Sequence, residues 1–289
     1  MTSIFNKSAW LHLRIPFSFF LMPVFLFALA VSSNVSIQNA LIVFICLHIF
    51  LYPASNGYNS YFDKDEGSIG SLKNPPKVNK GLYYLSLIFD FIALLLAAYN
   101  IAFLLMILVY GLVSKAYSHP LIRLKKYPFG SWLIAGFFQG AFTFMMSYIG
   151  INDIHFFAAL DKELLLAAIL TSVMLWGSYP MTQIYQHEED YERGDITLSY
   201  KLGILGTFHF VGLVFSLSSL GFVWYFNSYF NLTVVSIYLI MMAPVIGYFS
   251  YWYFKVRKDK QAADFDHTMK LNFISASCLN IFFIYLFLC

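Results

Sequence analysis

Long runs of apolar residues, separated by shorter polar stretches, set the organisation of the chain. Each run is close to the roughly 20 residues that an α-helix needs to cross the hydrocarbon core of a membrane. The pattern predicts nine membrane-spanning helices, with approximate bounds Ile15–Val31, Ile37–Tyr58, Leu82–Ala98, Ile101–Ala116, Phe129–Ile149, Glu163–Tyr185, Phe208–Phe226, Phe230–Phe254 and Met269–Leu288. We therefore expect an all-α polytopic membrane protein that forms a single transmembrane domain over residues 1–289.

The polar connections between these runs differ in length. Short ones predict helical hairpins and lie at Ser32–Ser36, Tyr99–Asn100 and Asn227–Tyr229. Longer ones all fall on the side of the N-terminus, at residues 63–80, 117–128, 187–206 and 255–267. Nine alternating spans place 17 of the 18 Lys and Arg residues on that side, with Lys162 opposite. Because cytoplasmic loops carry the excess of Lys and Arg, we expect a cytoplasmic N-terminus and an external C-terminus, in a bacterial inner membrane.

Composition supports the membrane assignment and narrows the functions. The chain is 60% hydrophobic and 11% charged, against about 25% charged in soluble domains. We expect membrane lipids as partners and no nucleic acid. The three cysteines lie in apolar runs without paired metal spacing, which disfavours a disulfide framework or a zinc site.

Polar chemistry is concentrated at the end of the second span. Asn59 and Asp63 are four residues apart and share one helical face, and Asp65 and Glu66 fall where the helix gives way to a loop containing Gly67. Converging carboxylates repel each other unless a cation lies between them. A hard ion such as Mg2+, held by one or two carboxylates, keeps positions open for substrate phosphates. The alternative is a solvated helix end.

A second acidic cluster follows the sixth span and parallels the first. Gln186 and Asp190 are four residues apart, as are Glu189 and Arg193. Because spans two and six both run toward the cytoplasm, we expect the two clusters to lie at the same membrane level and to face one another. The alternative is again a pair of solvated helix ends. Pro53 and Pro180 precede the respective clusters, and this repeated placement predicts a functional bend in each helix.

Basic residues lie between the clusters in sequence. Arg123, Lys125 and Lys126 follow the fourth span, and Tyr117 can donate a further hydrogen bond to a phosphate. Lys73 and Lys77 lie in the first long loop. The alternative for each lysine is ordinary topology charge near anionic headgroups. Two acidic clusters and a basic loop suggest a metal-bridged diphosphate whose hydrocarbon tail stays in lipid.

At these residues the sequence resembles the UbiA superfamily of intramembrane prenyltransferases. The resemblance covers nearly the whole chain and rests on the nine helices, the Asn-x-x-x-Asp motif ending at Asp63, the Tyr-Ser-x-Pro-x-x-Arg-Leu-Lys loop ending at Lys125, and the acidic motif leading into Gly-x-x-Thr-Leu. In the family the motifs usually read Asn-x-x-x-Asp-x-x-x-Asp and Asp-x-x-x-Asp, and they bind the diphosphate through Mg2+. Here Gly67 and Gln186 stand where the family has acids, so Asp65, Glu66, Glu188 or Glu189 would supply the missing oxygens.

The resemblance implies a helical bundle around a lipid-accessible central cavity. It also implies Mg2+-dependent transfer of a polyprenyl group from an allylic prenyl diphosphate to an aromatic or other electron-rich lipophilic acceptor, a quinone precursor foremost. The implied catalytic residues are Asp63, Asp190, Arg123, Lys125 and Tyr117. The implied diphosphate-binding residues are Asn59, Asp63, Lys73, Lys77, Arg123, Lys126, Gln186 and Arg193. The implied metal ligands are Asn59, Asp63, Asp65, Gln186, Glu189 and Asp190.

Other readings of the same residues stay open. A terpene cyclase of this superfamily would keep the diphosphate site and lose the acceptor pocket. A transporter would place its intramembrane polar groups near the midplane and usually show repeated halves. Aromatic rings near the motifs are candidates for shielding an allyl cation, and these are Tyr58, Tyr61, Tyr117 and Tyr185.

Three polar residues lie inside predicted spans, away from both clusters. Asp90 is in the third span, where a charge is costly and is usually paired or functional. We expect it to form a structural hydrogen bond with a neighbouring helix. We expect the same of His48 and Asn280.

Overall fold

A computed structural model describes residues 6–64 and 66–289, and the predicted metal ligand Asp65 lies outside these residues. The α-helices, in chain order, are α1 Lys7–His12, α2 Met22–Ala30, α3 Ile37–Phe44, α4 Tyr52–Asp63, α5 Lys80–Ala97, α6 Ile101–Ser118, α7 Pro128–Phe137, α8 Thr143–Asn152, α9 Lys162–Ser178, α10 His187–Glu192, α11 Leu198–Tyr229, α12 Leu232–Lys258 and α13 Phe265–Leu288. Across the described ranges, β pairing is limited to one isolated bridge between Ile69 and Leu72. The predicted all-α fold is confirmed.

The helices are long and apolar enough to make this an integral, multi-pass membrane protein. Within the described residues eight candidate spans cover Ile37–Asp63, Lys80–Ala97, Ile101–Ser118, Pro128–Asn152, Lys162–Gln183, Leu198–Tyr229, Leu232–Lys258 and Phe265–Leu288. Two further helical segments, Lys7–Phe20 and Met22–Ala30, are together long and apolar enough to cross a membrane, but the chain bends by 44° between them. Counting this pair as one span gives the nine that the sequence predicts.

Both prolines predicted to bend a helix lie where the backbone leaves α geometry. The span containing α4 passes through a π-helix over Ile45–Leu51 directly before Tyr52 and Pro53. In the sixth span α9 ends at Ser178, and a 3-10 helix over Tyr179–Gln183 carries Pro180. Proline lacks the amide hydrogen that the regular ladder requires, which accounts for both departures. Whether the bends serve function stays a prediction.

Two predicted connections are wrong. The stretch 187–206, expected as a loop, contains α10 and the start of α11, which continues past Gly203 at a positive φ of 67°. The hairpin expected at Asn227–Tyr229 lies later, because α11 runs to Tyr229 and α12 begins after Asn231. The Asn231 side chain caps α12 by accepting a hydrogen bond from the Val234 N–H at 3.1 Å.

The chain divides into two compact units, each assembled from separate stretches. The first unit comprises Met1–Phe19, Ser32–Lys125 and Met146–Ala159. Its helices α1, α4 and α5 share an apolar core made of Ala9, Leu13, Ala54, Leu82, Leu85 and Phe89. This core fixes the helix that ends in the first predicted motif. That residues 1–289 act as a single domain stays a prediction.

The second unit comprises Phe20–Val31, Lys126–Met145 and Leu160–Cys289. Its most buried region is an aromatic cluster around Phe27 of α2, whose ring lies 4.7 to 6.1 Å from the centroids of Phe144, Phe222, Tyr225, Phe226 and Phe283. Edge-to-face and offset ring contacts of this kind add to the packing of large apolar side chains. The cluster joins α2, α8, α11 and α13.

The three polar residues inside the spans have different surroundings. His48 bonds through Nδ1 to the Ser18 carbonyl oxygen at 3.2 Å, which confirms its expected hydrogen bond. Asp90 forms an ion pair with Lys115 of α6 where a hydrogen bond was expected, and whether its role is structural stays a prediction. Asn280 is 5% exposed, and neither polar atom of its amide has a hydrogen-bond partner among the described residues. The expectation for Asn280 is therefore wrong, since its nearby buried neighbours in sequence are the apolar Leu279, Phe282 and Phe283.

Candidate active site

The first predicted motif occupies the end of α4, in the first unit. Asn59 and Asp63 lie on one face of this helix, as their spacing predicts. The helix stops at Asp63 because Lys64 adopts a left-handed conformation, with φ 53°. Glu66 follows in the exposed loop. The geometry places one amide and one carboxylate at the very end of a membrane-spanning helix.

Both polar groups of this motif are held by residues distant in sequence. The Ser118 hydroxyl donates a hydrogen bond to Asn59 Oδ1. The Lys125 ammonium forms an ion pair with Asp63 Oδ1, and the two side chains are only 11% and 4% exposed, respectively. Each of these enclosed groups supplies the other's counter-charge. Lys125 was predicted to meet a phosphate, and in this structure it meets the motif carboxylate.

The other predicted basic residues have different surroundings. Lys73 and Lys77 are exposed in the loop before α5, and Lys126 is exposed with its ammonium 4.9 Å from the neighbouring Tyr127 ring. Arg123 is half-buried at a positive φ of 47°, and its backbone N–H donates to the His119 carbonyl oxygen at 2.8 Å. Of this predicted set, the structure therefore gives Lys125 a direct contact with the motif.

The predicted Tyr117 is half-buried in the last turn of α6. It precedes Ser118, which sequence reasoning did not single out although it touches Asn59. Along this stretch, Ser118 therefore contacts the Asn59 amide, and Lys125 contacts the Asp63 carboxylate. Whether Tyr117 donates to a phosphate stays a prediction.

Arg14 is another residue near the motif helix that sequence reasoning counted only as topology charge. It is buried at the break between α1 and the following 3-10 helix, at a positive φ of 48°. Its guanidinium donates to Asn56 Oδ1 at 3.4 Å and to the Gly70 carbonyl oxygen at 3.5 Å. Asn56 lies one turn before Asn59 on α4. The available signal was the position of Arg14 at the start of an apolar run, where burying a charge is costly.

The second predicted motif belongs to the second unit and sits on the short helix α10. Gln186 is the residue preceding this helix, and its carbonyl oxygen accepts from the Asp190 N–H at 2.9 Å. Arg193 pairs with Asp190 at 3.3 Å and with Glu189 at 3.9 Å. Arg193, predicted to bind diphosphate, therefore neutralises its own motif. That this motif faces the first one stays a prediction.

Side chains on either side of α10 anchor it to α11. His187 Nε2 lies 2.8 Å from the Ser199 hydroxyl oxygen, and burial lowers the pKa of His187, which favours the neutral imidazole. The Thr207 hydroxyl then donates to the Gly203 carbonyl oxygen at 2.8 Å, at the break in α11. Asp195 is 1% exposed, and its N–H donates to the Asp190 carbonyl oxygen at 2.8 Å. Sequence reasoning missed Asp195, which follows the Gly194 turn.

The family model for the UbiA prenyltransferase family matches residues 20–274. This range includes both motifs and the basic loop. The chain belongs to the UbiA prenyltransferase family. It is accordingly an enzyme of that family.

Solved structures share the UbiA-like fold with this chain. A UbiA homolog from Archaeoglobus fulgidus bound to DMAPP and Mg2+ is 15% identical, with 97% of this chain and 99% of that chain covered and a TM-score of 0.69. A UbiA homolog from Archaeoglobus fulgidus bound to GPP and Mg2+ is 16% identical, with 98% of this chain and 100% of that chain covered and a TM-score of 0.67. A digeranylgeranylglyceryl phosphate synthase structure gives 20% identity, 98% and 99% coverage and a TM-score of 0.62. A comparison with curated protein sequences gave no match.

The donors in the two motifs suit a hard cation. They are carboxylate and amide oxygens, the ligand type that Mg2+ prefers, and Asp63 already holds a cationic group in the form of Lys125. Within residues 6–64 and 66–289, no three His, Cys, Asp or Glu side chains form a group able to hold a metal ion. A sparse protein donor set is typical of Mg2+, which keeps water and substrate phosphate among its ligands.

Proposed function

We propose that this UbiA-family enzyme transfers a polyprenyl group from an allylic prenyl diphosphate to an electron-rich lipophilic acceptor, with a quinone-precursor ring as the foremost class. The observation that carries the proposal is the end of α4. There Asn59 and Asp63 share a face, and the basic loop delivers Lys125 to the carboxylate. The two A. fulgidus relatives bound to prenyl diphosphates and Mg2+ support the same substrate class.

The residues of the first motif have distinct tasks in this proposal. Bound Mg2+ would supply positive charge that stabilises the departing diphosphate. Asp63, paired with Lys125, and Asn59, oriented by Ser118, would present oxygens to that cation. The Lys125 ammonium adds a compact charge at the same place, suited to a diphosphate oxygen. Arg14, which donates to Asn56 one turn before Asn59 on α4, adds a second positive charge beside the motif helix.

The second motif contributes a carboxylate whose charge is already balanced. Asp190 is 9% exposed and paired with Arg193, so we assign Asp190 and Glu189 to metal binding and Arg193 to holding them in place and contacting diphosphate. Gln186 offers a side-chain amide oxygen where the family usually has an acid. An amide oxygen carries no full charge, so Gln186 with Asp190 would hold Mg2+ more loosely than the usual pair of acids.

The membrane setting completes the proposal. The apolar spans exclude water from a reacting allylic cation and leave the prenyl tail in lipid. We propose that both motifs face the cytoplasm in a bacterial inner membrane, because the basic residues concentrate on that side of the predicted topology. We also propose that residues 1–289 act as one functional domain.

The experiment uses the purified protein in lipid vesicles with radiolabelled geranylgeranyl and longer diphosphates. Mg2+ or EDTA is added, and a panel of aromatic acceptors is supplied or withheld. The proposal expects diphosphate release that requires both Mg2+ and an acceptor, with label recovered in a prenylated aromatic product. Release without acceptor, giving a cyclised hydrocarbon, would instead identify a terpene cyclase. No release with any diphosphate would contradict both functions.

A further inference from the structure

An ion pair lies inside the membrane-spanning part of the first unit, away from the residues assigned above. Asp90 of α5 pairs with Lys115 of α6, and their side chains are 16% and 18% exposed. Removing two charges from water is expensive, and such a pair often contributes no more stability than apolar side chains of the same size. Ionisable residues at such depth are rare in spans and commonly mark function. The pair therefore calls for a role beyond packing.

A third residue connects this pair to the motif helix. The Lys115 ammonium lies over the Tyr58 ring, 5.3 Å from its centroid. Tyr58 is buried and directly precedes Asn59 on α4. A cation over an aromatic face is attracted by the ring's negative centre, most strongly where water is excluded. One face of Tyr58, expected from the sequence to shield an allyl cation, is thus already engaged by Lys115.

The last turn of α6 contacts α4 at successive positions. Lys115 touches Tyr58, Ser118 donates to Asn59 Oδ1, and the ring of His119 lies 5.2 Å from that of Phe62. Lys115, Ser118 and His119 share a face because they are three and four positions apart, and Phe62 lies three positions after Asn59 and four after Tyr58. Together they fix the rotation and height of the α4 turn that ends in the motif.

We propose that Asp90 and Lys115 are positioning residues for the first motif. Asp90 holds the Lys115 ammonium against Tyr58, and this contact keeps the neighbouring Ser118 in register with the Asn59 amide. Asp90 also cancels the charge of Lys115, so the lysine neither repels a cation at the motif nor draws the diphosphate away from it. The inference rests on the proposed function, in which Asn59 and Asp63 bind the metal and diphosphate.

The test replaces the charged pair by a neutral one of similar size, Asp90→Asn with Lys115→Met. We expect the double variant to unfold at nearly the wild-type temperature, because no charge is left uncompensated. We expect kcat at saturating diphosphate and Mg2+ to fall about 100-fold, the scale associated with a misplacement of about 1 Å. Hydrogen exchange of the peptide covering Tyr52–Asp63, measured by mass spectrometry, should be faster in the variant without any substrate.

Two further variants separate positioning from simple charge pairing. Lys115→Arg keeps both the ion pair and the cation over Tyr58, and should retain kcat within about threefold. Exchanging the two residues, Asp90→Lys with Lys115→Asp, keeps a salt bridge but points a carboxylate at the electron-rich ring face, and should stay as slow as the neutral pair. Lys270→Met is the matched control, because it removes a cation 5.2 Å from the Tyr248 ring of α12 and should leave kcat and α4 exchange unchanged.

Two results would overturn the inference. One is a neutral double variant with wild-type kcat, and the other is full recovery of kcat in the exchanged pair. If the wild-type protein releases no diphosphate at all, the proposed function fails. The positioning of α4 is then tested by hydrogen exchange alone. The exchange rate of α4 must rise in the neutral double variant and stay at the wild-type level in Lys115→Arg.

Discussion

The two motifs carry similar residues but are held in different ways. Asn59 and Asp63 lie at the end of a long span, and their partners Ser118 and Lys125 come from a different helix and loop. Asp190 lies on a helix of six residues, and its ion partner is Arg193, three positions later. The first motif is therefore held by residues distant in sequence, whereas the ion pair of the second motif joins residues three positions apart.

This difference has consequences for stability and for adaptability. In the first motif the Asp63 and Lys125 side chains are only 4% and 11% exposed, so removing one leaves the other as a buried charge without its partner. The second motif's Arg193 and Glu189 side chains are 19% and 26% exposed, so water screens part of their attraction. We therefore expect the first motif to be rigid and to tolerate few substitutions. We expect the side chains of the second motif to change position as substrate binds.

The largest effect is expected from Lys125→Met. It leaves Asp63 buried without its cation, which should lower the free energy of unfolding by about 3 kcal/mol. Turnover should fall about 100-fold, and Mg2+ should raise the unfolding temperature of the variant more than that of the wild type. Thermal unfolding in detergent, with and without Mg2+, measures this directly. Lys125→Arg is the control that keeps the charge. Unchanged stability in Lys125→Met would contradict the claim that the two motifs are held in different ways.

A smaller effect is expected from Arg193→Met in the second motif. Its pair with Glu189 is partly exposed, and its pair with Asp190 joins side chains that are 19% and 12% exposed, so the loss of unfolding free energy should be smaller than in Lys125→Met. We expect KM for the prenyl diphosphate to rise about tenfold, because the substrate loses a charge-assisted contact. Steady-state kinetics and thermal unfolding should be compared with Lys125→Met. Equal destabilisation by both changes would show that the two motifs are not held differently.

Ser118→Ala probes the hydrogen bond that orients Asn59. A neutral hydrogen bond contributes about 1 kcal/mol, so turnover should fall about fivefold with little change in folding. Ser86→Ala is the matched control, since Ser86 is equally buried but donates only to the Tyr83 carbonyl oxygen of its own helix. The idea is refuted if the two substitutions have the same effect, or if Ser118→Ala still slows turnover when Asn59 is already alanine.

The smallest effect is expected from the exposed loop lysines. Lys73→Ala and Lys77→Ala should each change KM by no more than about twofold at physiological ionic strength, where charges about 8 Å apart or more are largely screened. The effect should grow at low salt, because these side chains then attract the diphosphate over a longer range. Kinetics at two salt concentrations tests this. A tenfold loss at physiological salt would place either lysine in direct contact with substrate.

Hydropathy was sufficient to predict the spans but not all of their ends. The apolar run of the second span ends at Tyr58, and the spacing of Asn59 and Asp63 extended the expected helix beyond it. The helix does end at Asp63. The seventh span was predicted to start at Phe208, whereas α11 begins at Leu198 and passes through a kink at Gly203. The motif face was predictable because residues four apart in a helix share a side.

The partners within the site could not be read from the sequence. Lys125 and Asp63 are 62 positions apart, and Lys115 and Asp90 lie on different helices. Nothing in the local pattern distinguishes Lys125 from Lys126, although one is buried on a carboxylate and the other is exposed. Helix rotation and loop path decide between them, and both arise from packing over the whole unit. Arg193 is the converse case, since its spacing from Glu189 predicts their contact.

The most direct measurement is Mg2+-dependent binding of a non-reactive prenyl thiodiphosphate to the purified protein in vesicles, by titration calorimetry. It needs no acceptor, so it examines the motifs alone. We predict binding that requires Mg2+, is lost with EDTA, and weakens at least about 100-fold in both Asp63→Asn and Asp190→Asn. Equal binding with and without Mg2+, or wild-type affinity in both variants, would contradict the assignment of these two carboxylates to a metal-bound diphosphate.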